Sequence, residues 1–399
     1  MIGKTSARVA AIAFATTWLT ALPVAAQQVK IGIVNSFSGF LAAPGDLMQK
    51  GMDLYAKTHM KDLPAGVTID VVKRDDTTTP EVGKRIAQEL ITREKVNILL
   101  GVMGSPIAAA IAPLTAEAKI PLVITNAAGA GITRISPYVA RVSFTLWQNA
   151  LPVGQWSAKK GWKTGYTLVS DFIPGHDSEA AFTKGFTDNG GKVVGSVRMP
   201  TNSPDFAPFV QKVKDAKPEV LFIFVPGGPQ STAMMKTIKD LGLREAGINV
   251  VSTQDLVPDE ELPNMGDAPN GIISGGNYSV AADRPANKAF LAAWKKEYGD
   301  NSIPDFFAVG GWDGMAAVFD VIKQTKGKFT GDEAMAILKG WKTSESPRGP
   351  LLIDPMTRDA VQNIYIRRTE LKDGKMQNTE IDTIPDVKDP WKELNPPKN

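Results

Sequence analysis

Ser105 and the run Asn126-Ala127-Ala128-Gly129 are where residue types and spacing in this chain could do chemistry, and that chemistry is the holding of an anion. Ser105 stands before Pro106: an oxygen side chain at the N-cap, then a proline suited to the first helical position. A helix starting there leaves its first N–H groups unbonded and carries partial positive charge at that end. Loop amides at Ala127 to Gly129 would add donors, and together they suit a carboxylate. The plainer alternative is that Ser105 only caps its helix and the small residues only permit tight packing.

Two strands and a helix must bring these residues together. Val96 to Gly101 is a short apolar run ending at glycine, which suits a strand buried on both faces. The helix Pro106 to Lys119 returns the chain to a second buried strand, Leu122 to Thr125. Such a crossover makes parallel neighbours, so both strand ends face the same way. Ligands of open parallel sheets bind at the carboxyl ends of the strands, where Ser105 and Asn126 to Gly129 stand.

The same alternation runs through most of the chain. Strands are expected at Val29–Val34 and Val67–Lys73, with helices at Met48–Lys57 and Glu81–Glu94. The pattern restarts near Val142: strands at Tyr166–Ser170, Val193–Val197, Val220–Val225 and Ile248–Ser252 alternate with helices. A strand near Ile273–Tyr278 precedes helices at Ala286–Tyr298, Phe307–Gln324 and Asp332–Leu338. Short strands follow at Leu351–Asp354 and Asn363–Arg367, with a turn at Asp373-Gly374. The fold class is α/β with doubly wound parallel sheets.

Composition narrows the function. At 399 residues the chain exceeds one ordinary domain and suggests two. Lys+Arg 45 against Asp+Glu 42, with no basic block, argues against nucleic acid or an anionic membrane as partner. Lys4 and Arg8 before an apolar run from Val9 to Leu22, then Val24-Ala25-Ala26, read as a secretory signal peptide over residues 1–26. Its removal takes the net charge from +3 to +1, since both basic residues leave and no acidic one does. Cysteine is absent, which excludes disulfides, thiolate metal sites, a Cys nucleophile and a lipid-bearing N-terminal Cys.

Other candidate groups carry less. His59 and His176 stand apart in sequence, so a transition-metal site is not expected. His59 reads as surface; His176, after Pro174-Gly175, reads as a helix-start residue at a cleft rim or as a donor to a carboxylate. No G-x-S-x-G elbow occurs, and Gly129-Ala130-Gly131 lacks the third glycine of a dinucleotide fingerprint. Asp75-Asp76 reads as a solvated turn, and Asp313 as an N-terminal-turn carboxylate or a hinge residue. Arg348-Gly349-Pro350 reads equally as hinge or plain turn. No catalytic residue, metal or cofactor is expected.

Taken in order, several segments resemble the branched-chain amino-acid-binding type of periplasmic solute receptor, which serves an ABC importer. They are Ile31-Gly32-Ile33-Val34 with Ser38-Gly39, Gly101 to Ser105, Thr125 to Gly129 and Asp171 to Gly175. Gly190-Gly191, Pro204-Asp205-Phe206, Gly310-Gly311-Trp312-Asp313 and Arg348-Gly349-Pro350 complete the set. The resemblance implies two lobes joined by three crossings, with the ligand between them. Carried over, lobe one is 28–143 plus 278–345, lobe two is 144–277 plus 346–385, and 386–399 is a loosely held polar tail. It implies that Ser105, Asn126, Ala127, Ala128 and Gly129 bind a ligand carboxylate, that Phe172, Gly227 and Asp255 line the facing wall, and that Phe40 and Tyr278 lie near the cleft.

Two departures bear on the ligand. Gly129 stands where amino-acid-binding members have Ser or Thr, and the loop Asp171-Phe172-Ile173-Pro174-Gly175 is apolar where a Tyr is usual. Asp255 is the nearest match to the acid that takes the ligand's ammonium group. An ammonium in a dry cleft needs a carboxylate, whereas a ring needs only apolar walls. The expectation is a monomeric extracytoplasmic receptor for a small carboxylate, an aromatic acid or an apolar amino acid, delivered to an ABC permease. A soluble sensing module and an exported enzyme are the alternatives.

Overall fold

The computed structural model describes residues 27–201 and 205–397, so the expected signal peptide and Pro204 lie outside the described residues. The first half alternates strand and helix: β1 (Gln27–Asn35), α1 (Ala42–His59), β2 (Val67–Asp75), α2 (Pro80–Thr92), β3 (Ile98–Gly101), α3 (Ser105–Ala118), β4 (Leu122–Ile124), α4 (Ile132–Ile135) and β5 (Val139–Arg141). Their strands form a five-stranded sheet in the order β2-β1-β3-β4-β5, parallel throughout. Alternation decides which helices cover which face. Ile31, Ile33, Leu100 and Val123 pack with Met48 and Met52 of α1, while Val34, Leu99 and Ile124 pack with Leu90 of α2 and Ile111 of α3.

The chain then crosses to a second lobe: α5 (Leu146–Lys159), β6 (Thr164–Ser170), α6 (Ile173–Thr187), β7 (Lys192–Met199), α7 (Ala207–Ala216), β8 (Val220–Phe224), α8 (Pro229–Asp240), β9 (Asn249–Thr253), α9 (Leu262–Met265) and β10 (Ile273–Gly276). It returns for α10 (Pro285–Tyr298), α11 (Phe306–Thr325) and α12 (Gly331–Leu338). It crosses a third time into β11 (Lys342–Thr343), β12 (Leu351–Ile353), β13 (Ala360–Lys372), β14 (Lys375–Val387) and α13 (Pro390–Leu394). The second sheet is nine-stranded, in the order β11-β12-β13-β10-β9-β8-β6-β7 with β14 on β13. It is parallel from β7 to β10 and antiparallel from β13 on, because a two-residue turn at Asp373-Gly374 can only fold a strand back on its neighbour.

α11 belongs to the first lobe, and its glycines show how. A Cβ at Gly311 would come within 2.0 Å of the Met48 carbonyl, and one at Gly310 within 2.2 Å of the Thr125 carbonyl. The helix therefore lies directly on α1 and on the end of β4, fixing the loop that follows β4.

Three expectations need correction. β11 already pairs with β12 at Lys342 and Thr343, so the third crossing comes before 345. β14 runs to Val387 as a strand of 13 residues, hidden in sequence because its outward residues are polar. The tail is not loosely held. Asp389 and Lys392 are buried, Thr145 Oγ1 donates to Asp389 Oδ1 (3.1 Å), Lys392 pairs with Asp359, and Trp391 lies under Arg134 at 4.7 Å. Among the described residues no helix is long and apolar enough to cross a membrane.

Candidate functional site

The anion-facing side is made where β3 and β4 end. Val102 adopts a left-handed conformation (φ 68°) after Gly101 (φ 117°), and its N–H donates to the Val34 carbonyl at 2.8 Å. That kink turns the chain abruptly into α3. The N-cap is Gly104, not Ser105; Ser105 is already helical and caps nothing. Its Oγ instead accepts the Gly129 N–H at 3.0 Å, tying the two strand-end loops together. Among the described residues the Ser105 hydroxyl proton has no acceptor, so it remains available to a ligand.

Neighbouring amides divide by how they are used. The Ala127 N–H is spent on the Val102 carbonyl (3.0 Å), and that of Gly129 on Ser105. The N–H of Ala128 has no such partner among the described residues, and Ala128 lines the cavity. Asn126 donates to the Met103 carbonyl at 2.8 Å, while its side-chain oxygen is buried without a partner. Behind this loop Arg141 is fully buried and donates to the Gly129 carbonyl (2.7 Å) and the Phe144 carbonyl (3.2 Å). Its Nε lies 3.3 Å from Asp359, so the loop rests on a neutralised cation.

A narrow cavity lies between this loop and the second lobe. Of the residues named from sequence, Ser105, Asn126, Ala128, Phe172, Gly227 and Asp255 line it. Phe40, Ala127, Gly129 and Tyr278 do not. Phe40 yields its place to Leu41, one residue on, at the start of α1. Tyr278 is fully buried and donates to Asn287 at 2.8 Å; it is a packing group of the second crossing.

The walls that sequence reading missed are aromatic: Phe144, Phe224 and Phe307 join Phe172 around the cavity. Phe172 and Phe224 lie 6.1 Å apart, and Phe144 meets Phe306 edge-on at 5.7 Å. Phe224 is legible in retrospect as the last residue of a strand in a ligand-facing row. Phe307 follows Asp305, which caps α11 by accepting from the Phe307 and Ala308 amides. Gly227 is required for close approach, since a Cβ there would stand 2.9 Å from the Phe307 ring.

Among the described residues Asp255 is the only titratable side chain lining the cavity. Burial pushes its pKa up to about 6, against the opposing effects of the Thr253 hydroxyl, which donates at 2.8 Å, and the charge of Arg367. Arg367 makes its own bonds to Ser274 Oγ and the Tyr278 carbonyl. His176 lies outside the cavity, in the first turn of α6, paired with Asp171 at 2.6 Å. His59 stacks on Tyr55 at 4.0 Å. Asp75 accepts from Phe37 and Thr77 amides, and Asp76 is buried rather than solvated, accepting from Ser36 at 2.7 Å. Among the described residues no acidic or histidine cluster fit for a metal occurs.

The lobes meet across the cavity mouth. The Ala130 N–H donates to Asp177 of α6 at 2.9 Å. A Cβ at Gly129 would stand 2.8 Å from Ile173 Cγ2, which explains the absence of Ser or Thr there: Ile173 occupies that space. Arg348 pairs with Asp313 at 2.8 Å and donates to the Ser143 carbonyl at 3.0 Å, so one buried guanidinium joins α11, the first crossing and the loop between β11 and β12 that follows the third. The hinge reading of Asp313 and Arg348 fits this geometry.

A strand-end cleft between two such lobes is a solute-binding architecture, and comparison with known proteins agrees. The periplasmic binding protein family model matches residues 28–375. The chain belongs to that family. It is 37% identical over 385 residues to the Leu/Ile/Val-binding protein homolog 6 of Brucella melitensis, covering 96% of this chain and 98% of that one. An ABC-transporter solute-binding protein from Rhodopseudomonas palustris BisB5, solved with 3,4-dihydroxybenzoic acid, is 44% identical, with TM-score 0.88 over 92% of this chain and 99% of that one. Another from R. palustris, solved with 4-hydroxybenzoate, is 40% identical, with TM-score 0.87 over 91% and 98%. This periplasmic binding protein is thus an extracytoplasmic solute receptor of the ABC-importer class, working with a membrane permease. Its family is one of receptors rather than enzymes.

Proposed function

We propose that this receptor captures an aromatic monocarboxylate. The observation that carries the reading is a cavity walled by four phenylalanine rings with Ser105, Asn126 and the Ala128 amide on one side. The rings provide flat apolar surface for another ring, and the strand-end donors suit a carboxylate. The bound acids of the two R. palustris proteins are of the same class. The ligand joins both lobes, so its contacts favour the closed form, which the permease then receives. The protein acts as a monomer, is exported by a signal peptide over residues 1–26, and leaves its ligand chemically unchanged. Lobe one is residues 28–143 with the helices after 278, and lobe two the remainder of the described chain.

Calorimetric titration with benzoate, 4-hydroxybenzoate, hexanoate and leucine tests this. Tight binding of the aromatic acids and weak binding of hexanoate are expected. A second reading, an apolar amino acid, is favoured by Asp255, whose carboxylate suits an ammonium group. Leucine binding in preference to every aromatic acid would establish it.

A further inference from the structure

We propose that Asp255 selects among aromatic acids, its carboxylate accepting a hydrogen bond from a ring hydroxyl remote from the ligand's own carboxylate. The inference rests on the reading that an aromatic monocarboxylate fills the cavity. Asp255 stands on the second lobe at the end of β9, whereas Ser105, Asn126 and Ala128 stand on the first. Every other side chain of the cavity wall is apolar.

The Asp255 carboxyl has two donors, the Thr253 hydroxyl to Oδ2 and its own backbone N–H, and no other side chain among the described residues bonds to it. Among the described residues no cationic side chain lines the cavity, and Arg367, whose charge acts on Asp255, is engaged with Ser274 and the Tyr278 carbonyl. A buried carboxyl in a residue lining an otherwise apolar wall is stabilised by any donor a ligand brings.

Repulsion decides where on the ligand that donor sits. With no cation between them, two carboxylates in one low-dielectric cavity must be held apart. A ring hydroxyl para to the carboxylate satisfies this: it is the furthest substituent, neutral, and points its proton away from the acid end. An ortho hydroxyl does not, because it lies beside the carboxylate and bonds to it internally.

The test measures Kd for benzoate, 2-hydroxybenzoate and 4-hydroxybenzoate on the full-length mature protein and on Asp255→Ala and Asp255→Asn. The parent is expected to prefer 4-hydroxybenzoate over benzoate by roughly ten- to hundredfold, the worth of a hydrogen bond to a charged group. The 2-hydroxy isomer should gain nothing over benzoate. In Asp255→Ala the ratio of the two affinities falls towards one, and in Asp255→Asn, which keeps an accepting oxygen, it is partly restored. Circular dichroism of the variants checks that they fold. Benzoate bound as tightly as 4-hydroxybenzoate by the parent, or an undiminished ratio in Asp255→Ala, overturns the role of Asp255 while leaving the aromatic reading intact. Failure of every aromatic acid to bind overturns both.

Discussion

Gly129 is the position at which the closed cleft leaves no room, so adding one methyl group there is a direct test of how the lobes meet. A Cβ at 129 would lie 2.8 Å from Ile173 Cγ2, where ordinary contact begins at 3.4 Å; the shortfall is 3.4 minus 2.8, or 0.6 Å. Ile173 is β-branched and stands in the first turn of α6, so it cannot swing aside freely. Overpacking of this kind costs about 1–3 kcal/mol, which corresponds to roughly five- to 150-fold in affinity. Ile173 belongs to the facing lobe, so most of the cost falls on the closed form; the lobe-one neighbours Ile132 Cδ1 (3.2 Å) and Ser105 Cβ (3.3 Å) need give only a few tenths of an ångström in either form. Gly129→Ala should therefore weaken 4-hydroxybenzoate binding by that factor in calorimetry while the melting temperature without ligand stays close to that of the parent. Gly129 has no positive φ, so alanine adds no backbone strain. Adding Ile173→Ala should return most of the affinity. An unchanged Kd in the single variant, or a double variant no tighter than the single one, would refute the closure geometry.

Other predictions address the anion end, the hinge and the tail. Ser105→Ala removes a hydroxyl donor and frees the Gly129 N–H; binding should weaken about tenfold or more, for a charged hydrogen bond of about 1.5–3 kcal/mol, and unchanged calorimetric affinity would remove Ser105 from the site. Arg348→Met leaves the Asp313 carboxyl buried without its cation, which should cost about 3–5 kcal/mol in urea unfolding. Burial already raises the Asp313 pKa and Arg348 is the chief opposing influence, so the variant's Asp313 is raised further. A raised carboxyl contributes stability below its unfolded pKa and loses it as pH rises through the folded value, so the deficit relative to the parent should be larger at pH 8 than at pH 5. A deficit equal at both pH values would count against an unpaired Asp313. Truncation after Val387 removes α13 and with it the Lys392 and Asp389 contacts; each charged hydrogen bond lost is worth about 1.5–3 kcal/mol, so the unliganded melting temperature should fall clearly, and a truncated protein that melts with the parent would return the tail to a passive role.

Sequence by itself determined the alternation of strands and helices, because buried parallel strands are continuous apolar runs and their helices repeat near 3.6. It located the strand ends, and with them Ser105 and Asn126, since topology puts those ends on one edge, while Gly227 and Asp255 came with the family resemblance. Tertiary structure decided what each residue does there. Ser105 looks like a cap from its neighbours, but only the packing of β3 against β4 brings the Gly129 N–H to its oxygen. Phe144, Phe224 and Phe307 come from the first crossing, a second-lobe strand and a helix that follows the second crossing, so no local pattern marks them as one wall. The tail shows the same limit. Its polar sequence conceals buried charges, because a buried Lys392 or Asp389 is tolerated only beside partners, and those partners lie in segments remote in the chain.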